Sequence, residues 1–378
     1  MFEISLVEGL EGVVGLAPEW RALVEDSVTD EVYGAPWIFS RPEWHLAWLE
    51  AYGSACRPRL IAARAEGRLV GLLPMALTRG RYVDFFSTYL EPMTGYFADY
   101  QTPVLAKGCE AALEPMLDTA FQGAEGQVLL WRNLPLTHPE ARRIPDYFAA
   151  RGWPVVTEKS VCPYLRLSGS YAKVEKRWKS NLRQDVRRRR RKLAGSLSLE
   201  VIERAEDVPA WLEDLFAMHQ RKWLSESQPS EFANQTHQDY YGILARNLFG
   251  KGLHLSSLLL DGRRVSLHYG FLSEGWFYFY KPAYDKEFAS MSPTKVHVSM
   301  LMELGCASGW RGFDFLQGDE PYKLQWASES IPCVSLVAGI GKGGFKYYWH
   351  SRWRSQAKSA LGPTVKTIRR ATQRQVAL

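Results

Sequence analysis

Apolar and polar positions fall into short runs along much of the chain, and several runs meet at an acid-glycine pair. Residues 59–76 (RLIAARAEGRLVGLLPMA) read as two β-like runs joined by Glu66-Gly67, and residues 254–271 (HLSSLLLDGRRVSLHYGF) as two more joined by Asp261-Gly262. Such a turn between apolar runs is a strong short-range hairpin signal. The two hairpins stand 195 residues apart, and each follows a segment with aromatic residues at helical spacing. One is FSRPEWHLAWLEAYG (39–53) and the other FANQTHQDYYGILARNLFG (232–250). The repetition suggests a duplicated α/β unit.

Periodicity in the second half predicts helices over 211–223 and 236–249, then strands over 253–260, 263–272 and 276–281. A helix from Pro293 to Ser308, a strand over Gly312–Leu316, a short helix over Pro321–Ala327 and a strand over Pro332–Gly339 follow. That order makes a mixed α/β sheet with helices on its faces. The division expected is an N-terminal domain over 1–168, a C-terminal domain over 169–340 opening with a basic helix (171–193), and a basic aromatic tail over 341–378, partly disordered. Within the basic helix, Trp178, Leu182 and Val186 recur at i, i+4, i+8 as a buried stripe.

Charge sharpens this picture. Residues 173–192 hold eleven Lys/Arg against two acids, a surplus of nine in a chain whose net charge is +6. After Glu329 there is no acid, while nine Lys/Arg follow. Both segments suit an anionic partner. In the tail, Lys346, Arg352 and Arg354 interleave with Phe345, Tyr347, Tyr348, Trp349 and Trp353, residue types suited to a lipid headgroup layer or to exposed RNA bases. The five cysteines are scattered singly, which fits a reducing cytoplasm and neither a disulfide framework nor a zinc site. The N-terminal stretch carries acids where a secretory signal has basic residues, and no apolar run is long enough to span a bilayer. No metal and no bound cofactor are expected. Gly339–Gly344 satisfies GxGxxG, but the acid a dinucleotide site places about 20 residues further on is missing.

The stretch FDFLQGDEPYKLQWA (313–327) resembles the hallmark of the CelD/BcsL-like acetyltransferases, a GNAT-superfamily group related to the FemAB aminoacyl transferases. FSRPEWHLAWLEAYG, GRLVGLLPM (67–75), KSNLRQDVRRRRRKL (179–193), MHQRKW (218–223) and FYKPAYD (279–285) support the resemblance, which spans about residues 30–340. It implies tandem GNAT-like folds and acyl transfer from acyl-CoA, as co-substrate, to an amine or hydroxyl of a cell-envelope precursor or lipid, a ceramide-type N-acylation included. A FemAB-like transfer from aminoacyl-tRNA is the alternative, and a non-catalytic binding protein that kept the fold is a third. The expected location is the cytoplasm, peripheral at the inner membrane of a bacterium.

Acyl transfer requires a base, a polarised carbonyl and a protonated leaving thiolate. Glu320 is the candidate base and Asp319 the competing one; Lys323 is placed to hold an anion or the oxyanion, although its i, i+3 spacing from Glu320 equally allows a plain salt bridge. His268, mid-strand beside Ser266 and Gly270, offers either a neutral imidazole base or a core histidine. Tyr280 could supply a phenol to the thiolate, and Tyr278, Tyr284, Trp223 and Tyr322 are candidate substrate contacts. The usual GNAT pyrophosphate loop is glycine-rich, and these glycines are missing here. Ser292 as N-cap, Thr294 and Lys295 at the start of the helix from Pro293 remain as phosphate contacts. Arg187, Arg188, Arg190 and Arg191 are the candidate contacts for a membrane or another polyanion, among them tRNA or the phosphates of CoA. The N-terminal half lacks a GDEPYK equivalent and is expected to shape the cleft without catalysing.

Overall fold

The computed structural model describes residues 2–27, 38–79, 88–123 and 127–340. The basic aromatic tail and the glycines beyond Gly339 lie outside the described residues. The chain divides into two compact units, one of Met1–Ser160 with Pro332–Leu378 and one of Val161–Ile331.

The first unit opens with β1 (Glu3–Glu8) and α1 (Gly9–Asp26), then α2 (Pro42–Tyr52), the hairpin β2 (Cys56–Ala65) and β3 (Arg68–Arg79), β4 (Thr88–Pro92) and β5 (Val104–Leu105). After α3 (Leu113–Phe121), β6 (Val128–Pro135) and α4 (Pro139–Ala150) comes β7 (Val155–Arg166), which carries the chain into the second unit. Strands β1 to β4 pair antiparallel in sequence order, and β6 adds parallel to β4. One face of this sheet buries Ile61, Leu73, Met75 and Trp131 against Met116, Leu117, Ile144 and Phe148 of α3 and α4.

The second unit contains α5 (Tyr171–Glu175), α6 (Ser180–Lys192), β8 (Leu197–Val201), α7 (Val208–Ser225), α8 (Gln235–Leu248), β9 (Leu253–Leu260), β10 (Arg263–Ser273) and β11 (Trp276–Tyr284). Next come α9 (Pro293–Ala307), β12 (Gly312–Asp314) and α10 (Lys323–Trp326), before the return strand β13 (Glu329–Gly339). Strands β8, β9, β10 and β11 are antiparallel neighbours, β12 runs parallel to β11, and the end of β7 pairs antiparallel with β12. The fold is thus mixed α/β. The hairpin turns Glu66-Gly67, Asp261-Gly262 and Glu274-Gly275 each hold both residues at positive φ. This conformation matches strand twist, and the glycine takes it without steric cost.

On one face, α6 and α9 cover Phe277, Phe279, Phe313 and Phe315. On the other, Trp211 of α7 and Tyr241 of α8 pack on Tyr269 of β10.

Three expectations change. The single helix expected over 171–193 is two helices, because the Lys179 N–H leaves the helical pattern for the Gln325 carbonyl at 3.0 Å while Trp178 packs edge-on against Trp326. The stripe of Trp178, Leu182 and Val186 is buried all the same. Strand Gly312–Leu316 ends at Asp314: the Phe315 N–H still bonds the Pro163 carbonyl in register, but Pro163 has no N–H to return and Leu316 takes φ +59°. The strand over Pro332–Gly339 was expected to complete the second sheet; Cys333–Gly339 instead pairs antiparallel with β6 in the first unit.

Candidate active site

Strand β11 pairs with β12 only over Trp276, Phe277 and Tyr278, opposite Gly312, Phe313 and Asp314. Beyond that point β11 runs on from Phe279 to Tyr284 beside β10, while the chain after β12 follows β7, with the Gly318 N–H on the Val161 carbonyl. Among the described residues the outer edge of β11 therefore has no partner strand for six residues, roughly 20 Å at 3.3 Å per residue. The loop that diverges from it is the GDEPYK segment.

Lys323 organises that loop. It is buried, and its ammonium donates to the Gln317 carbonyl at 2.6 Å and reaches the Leu316 carbonyl at 3.5 Å. It also stands 3.1 Å from a Glu320 carboxylate oxygen. Carbonyls that have left the strand ladder, that of buried Leu316 above all, need such a donor. Glu320 is 53% exposed on its side chain, and Asp319 is exposed. The salt bridge is therefore present, and it leaves the Glu320 carboxylate open to solvent. Burial of its hydroxyl end and the Glu320 charge raise the Tyr322 phenol above its ordinary pKa, so it keeps its proton.

A bulge on β11 sets the other groups. Tyr269 and Phe271 of β10 stand opposite Lys281 and Tyr278, so Phe279 and Tyr280 share one position across from Gly270. The extra residue re-aims the strand. Phe279 stacks on His268 at 4.2 Å on the α9 side. Tyr280 turns to the α8 side, its hydroxyl 3.4 Å from that of Tyr241, and the Lys281 ammonium lies 5.3 Å from the Tyr280 ring centre. Tyr278 is buried.

His268 thus occupies the core on the face opposite Tyr280, fully buried between Phe279, Phe277 and His297. Neither ring nitrogen has a hydrogen-bond partner, and burial, with His297 and His254 nearby, holds its pKa well below the usual value. Neighbouring His297 is fully hydrogen-bonded. Ser266 donates its hydroxyl proton to the Ala283 carbonyl, so Nδ1–H of His297 donates to Ser266 at 3.1 Å and Nε2 accepts from Ser256. Burial lowers its pKa to about 3.

The start of α9 differs from the expected capped end. Ser292 is left-handed, with φ +48° and no side-chain cap. The Lys295 and Val296 N–H groups are taken up by the Ser292 carbonyl, and Pro293 has none. Only the Thr294 N–H remains of the first turn. Lys295 is 3.3 Å from Asp185, which also holds Arg188 and Arg189, and Arg189 donates to the Ser290 carbonyl at 2.6 Å. Burial alone would raise the Asp185 carboxyl; Arg189, Arg188 and Lys295 hold it down at about 2.

Three of the four arginines expected to meet a polyanion already have acidic partners. Arg187 pairs with Glu175, Arg188 with Asp185, and Arg190 with Glu303; Arg191 is exposed.

Two features escaped the pattern of the sequence. Asp314 is fully buried, and its carboxylate accepts the Leu316 N–H at 2.7 Å, shaping the turn where β12 ends. The signal was present: an acid between two phenylalanines in a predicted strand. The second is a cluster from three separate segments. Trp223 donates its indole N–H to Nε2 of His219 at 3.0 Å, which leaves Nδ1–H of His219 to donate to Ser230 at 2.7 Å. Glu231, 3.8 Å from His219, pairs with Lys281 at 3.0 Å. Burial would raise the Glu231 pKa, but Lys281 and His219 bring it below its ordinary value. Burial lowers His219 to about 4. Lys222 lies over the rings of Trp223 and Tyr284, at 5.3 and 5.0 Å. No spacing rule links positions 219, 231 and 281.

Residues 180–324 match the family model described as an acetyltransferase (GNAT) domain. The second unit carries a GNAT acyltransferase domain. FemX, at 11% identity, is similar in fold over 86% of this chain and 96% of its own, with a TM-score of 0.59. A conserved protein of unknown function from Bacteroides thetaiotaomicron, at 11% identity, matches over 85% of this chain and 97% of its own, at 0.53. The C-terminal domain of a protein described as a lysylphosphatidylglycerol synthetase from Agrobacterium fabrum, at 13% identity, matches over 87% and 93%, at 0.51. At such identities the likeness is one of fold. No curated protein matches the chain in sequence. Among the described residues no helix is long and apolar enough to cross a membrane.

Proposed function

We propose that the GNAT domain transfers an acyl group from acyl-CoA to an amine or hydroxyl of a cell-envelope precursor or lipid, a ceramide-type N-acylation included. The reaction belongs in the opening between β11 and the loop after β12. The observation that carries this reading is the early end of the β11–β12 pairing, after which the chain leaves β11 as a loop with an exposed carboxylate. Open sheets bind ligands where neighbouring chains part in this way.

In the proposed step Glu320, with Asp319 as the alternative, takes the proton of the acceptor ammonium. The freed nitrogen attacks the thioester carbonyl carbon and the carbon–sulfur bond breaks; Tyr280 or Tyr322 protonates the departing thiolate and is itself reprotonated by the second proton that the new amide nitrogen sheds. Lys323 acts as a positioning residue, holding the carbonyls of Leu316 and Gln317 so that Glu320 faces outward. Tyr284 and Trp223 would line the acceptor side, while Tyr278 is in the core. The Thr294 N–H and Lys295, once released from Asp185, would meet the phosphates of CoA. The first unit would take no part in the chemistry. We place the protein in the bacterial cytoplasm, peripheral at the inner membrane.

One observation favours a second donor, an aminoacyl-tRNA. The α9 start offers a single free backbone N–H, and its two nearest cations are already tied to Asp185 and Ser290. That is a poor cradle for a pyrophosphate.

The test is incubation of the protein with acyl-CoAs of graded chain length, with free thiol as readout. Thiol release that depends on an added lipid amine supports N-acylation of a lipid, and a preference for acetyl-CoA points to a saccharide or small-molecule acceptor. No thiol release, with transfer from aminoacyl-tRNA instead, replaces the donor. Full activity in a Glu320→Ala, Lys323→Ala double variant would overturn the site.

A further inference from the structure

The ends of α6 and α7 are brought to one place by the short turn between β11 and α9. Residues Lys286–Met291 form a tight helical turn. At its start the Lys286 ammonium donates to the Ser225 hydroxyl at 2.7 Å, at the last residue of α7. At its other end the Ser290 carbonyl accepts from Arg189, in the last turn of α6. Four residues of such a turn rise about 8 Å, and the Lys286 and Arg189 side chains bridge the rest, so the two helix ends lie at the same end of the second sheet. The end of α6 contributes Arg188, Arg191 and Lys192, all exposed. The end of α7 contributes Arg221, Lys222, Trp223 and Leu224, with Lys286 beside them.

These two ends differ in kind. The apolar residues of α6, Leu182 and Val186, are buried, so its outer face is polar and, toward the C-terminal end, mainly cationic. On α7, Leu224 is 78% exposed, more than any other large apolar side chain among the described residues. It sits next to half-buried Trp223, and the Lys222 ammonium spans the Trp223 and Tyr284 rings. Arg221 and Lys286 make no salt bridge among the described residues, and Glu226 is the acid whose charge acts on Lys222. Cations in excess of acids, an indole and a phenol at their apolar–polar boundary, and one fully projecting leucine match the headgroup layer of an anionic bilayer. A nucleic acid would satisfy the cations and leave Leu224 in water.

We propose that this end of the second unit docks on an anionic lipid surface, with Leu224 and Trp223 entering the headgroup layer and Arg191, Lys192, Arg221 and Lys286 meeting lipid phosphates. This deepens the membrane-facing part of the proposed function and is independent of the acyl donor.

The experiment is co-sedimentation of the full chain with vesicles of phosphatidylcholine containing phosphatidylglycerol, and with pure phosphatidylcholine. The unaltered chain should pellet with the first and little with the second. Leu224→Glu, a change at an exposed position, should weaken binding more than tenfold, because it removes the inserted side chain and adds a repelled charge. Arg191→Gln and Lys286→Gln should each cost about fivefold. A thermal melt matching the unaltered chain shows that each variant is folded. Absence of vesicle binding by the unaltered chain would remove the membrane reading altogether. Vesicle binding that survives Leu224→Glu and both charge changes would remove this surface and leave that reading standing. A tRNA mobility shift lost in the charge variants, without vesicle binding, would reassign the surface to a nucleic acid.

Discussion

Replacing Lys323 by methionine separates its structural work from any chemistry. The substitution keeps the length of the stem and removes the ammonium. The Gln317 carbonyl loses a 2.6 Å bond and the Leu316 carbonyl a longer contact at 3.5 Å. A hydrogen bond from a charged donor contributes about 1.5–3 kcal/mol. Gln317 is exposed, so water takes up its carbonyl once the ammonium is gone. The Glu320 ion pair adds little, because that carboxylate is half in water and such pairs contribute about 0–1 kcal/mol. The shorter bond dominates, so the expected loss is about 1.5–3 kcal/mol. For a unit of this length each kcal/mol moves the melting midpoint by about 2–4 °C. Differential scanning calorimetry should therefore show the second unit melting roughly 3–12 °C lower, by the same conversion. A midpoint unchanged within error would refute the role given to Lys323 in holding the loop.

The companion change, Glu320→Gln, should leave the melting midpoint nearly unmoved yet slow thiol release about 10²- to 10⁴-fold if this carboxylate is the base; equal effects on both would assign it to the loop alone. Gly270→Ala places a Cβ 2.3 Å from Cε1 of His268 and 2.8 Å from the Tyr278 carbonyl, with no room on either side. Overpacking of this kind costs about 1–3 kcal/mol, and urea unfolding should show it; a neutral result would mean that the bulge on β11 relocates freely. Acid should weaken the second unit before it protonates the folded histidines. His219 and His254 are lowered to about 4 and His297 to about 3, while the unfolded chain binds these protons near 6.5. Stability is complete above the unfolded value and falls as the pH drops from about 6.5 toward 4, by about 1.4 kcal/mol per pH unit for each group fully engaged. A flat urea midpoint between neutral and mildly acid pH would contradict the buried, neutral state of these rings.

Where one signal dominated locally, the sequence was readable. The acid-glycine pairs marked hairpins because two left-handed residues suit few other turns, and the bounds of α7, α8 and α9 follow their apolar periodicity. The long basic helix was misjudged at residues 176–179, where a tertiary bond to Gln325 outweighs continuing the helix, an option invisible to a local window. The destination of β13 was equally hidden, since β-like runs do not state their partner. At the site, GDEPYK located Glu320 and Lys323, but nothing in the spacing told that Lys323 faces inward to carbonyls. His268 was assigned the correct neighbours, Ser266 and Gly270, and its face turned out to be covered by α9. The cluster of His219, Glu231 and Lys281 comes from positions with no periodic relation, so only folding reveals it.

The return of β13 to β6 has a consequence for synthesis. Strand β6 leaves the ribosome about 200 residues before Cys333–Gly339, its antiparallel partner, is made. At ordinary elongation rates that is a wait of roughly 10–40 s. Meanwhile an apolar edge reading VLLWRNLP stays unpaired, the kind of edge that recruits other chains. The intervening segment can fold during that interval. Nascent chains stalled before residue 333 should accordingly be the ones that need a chaperone.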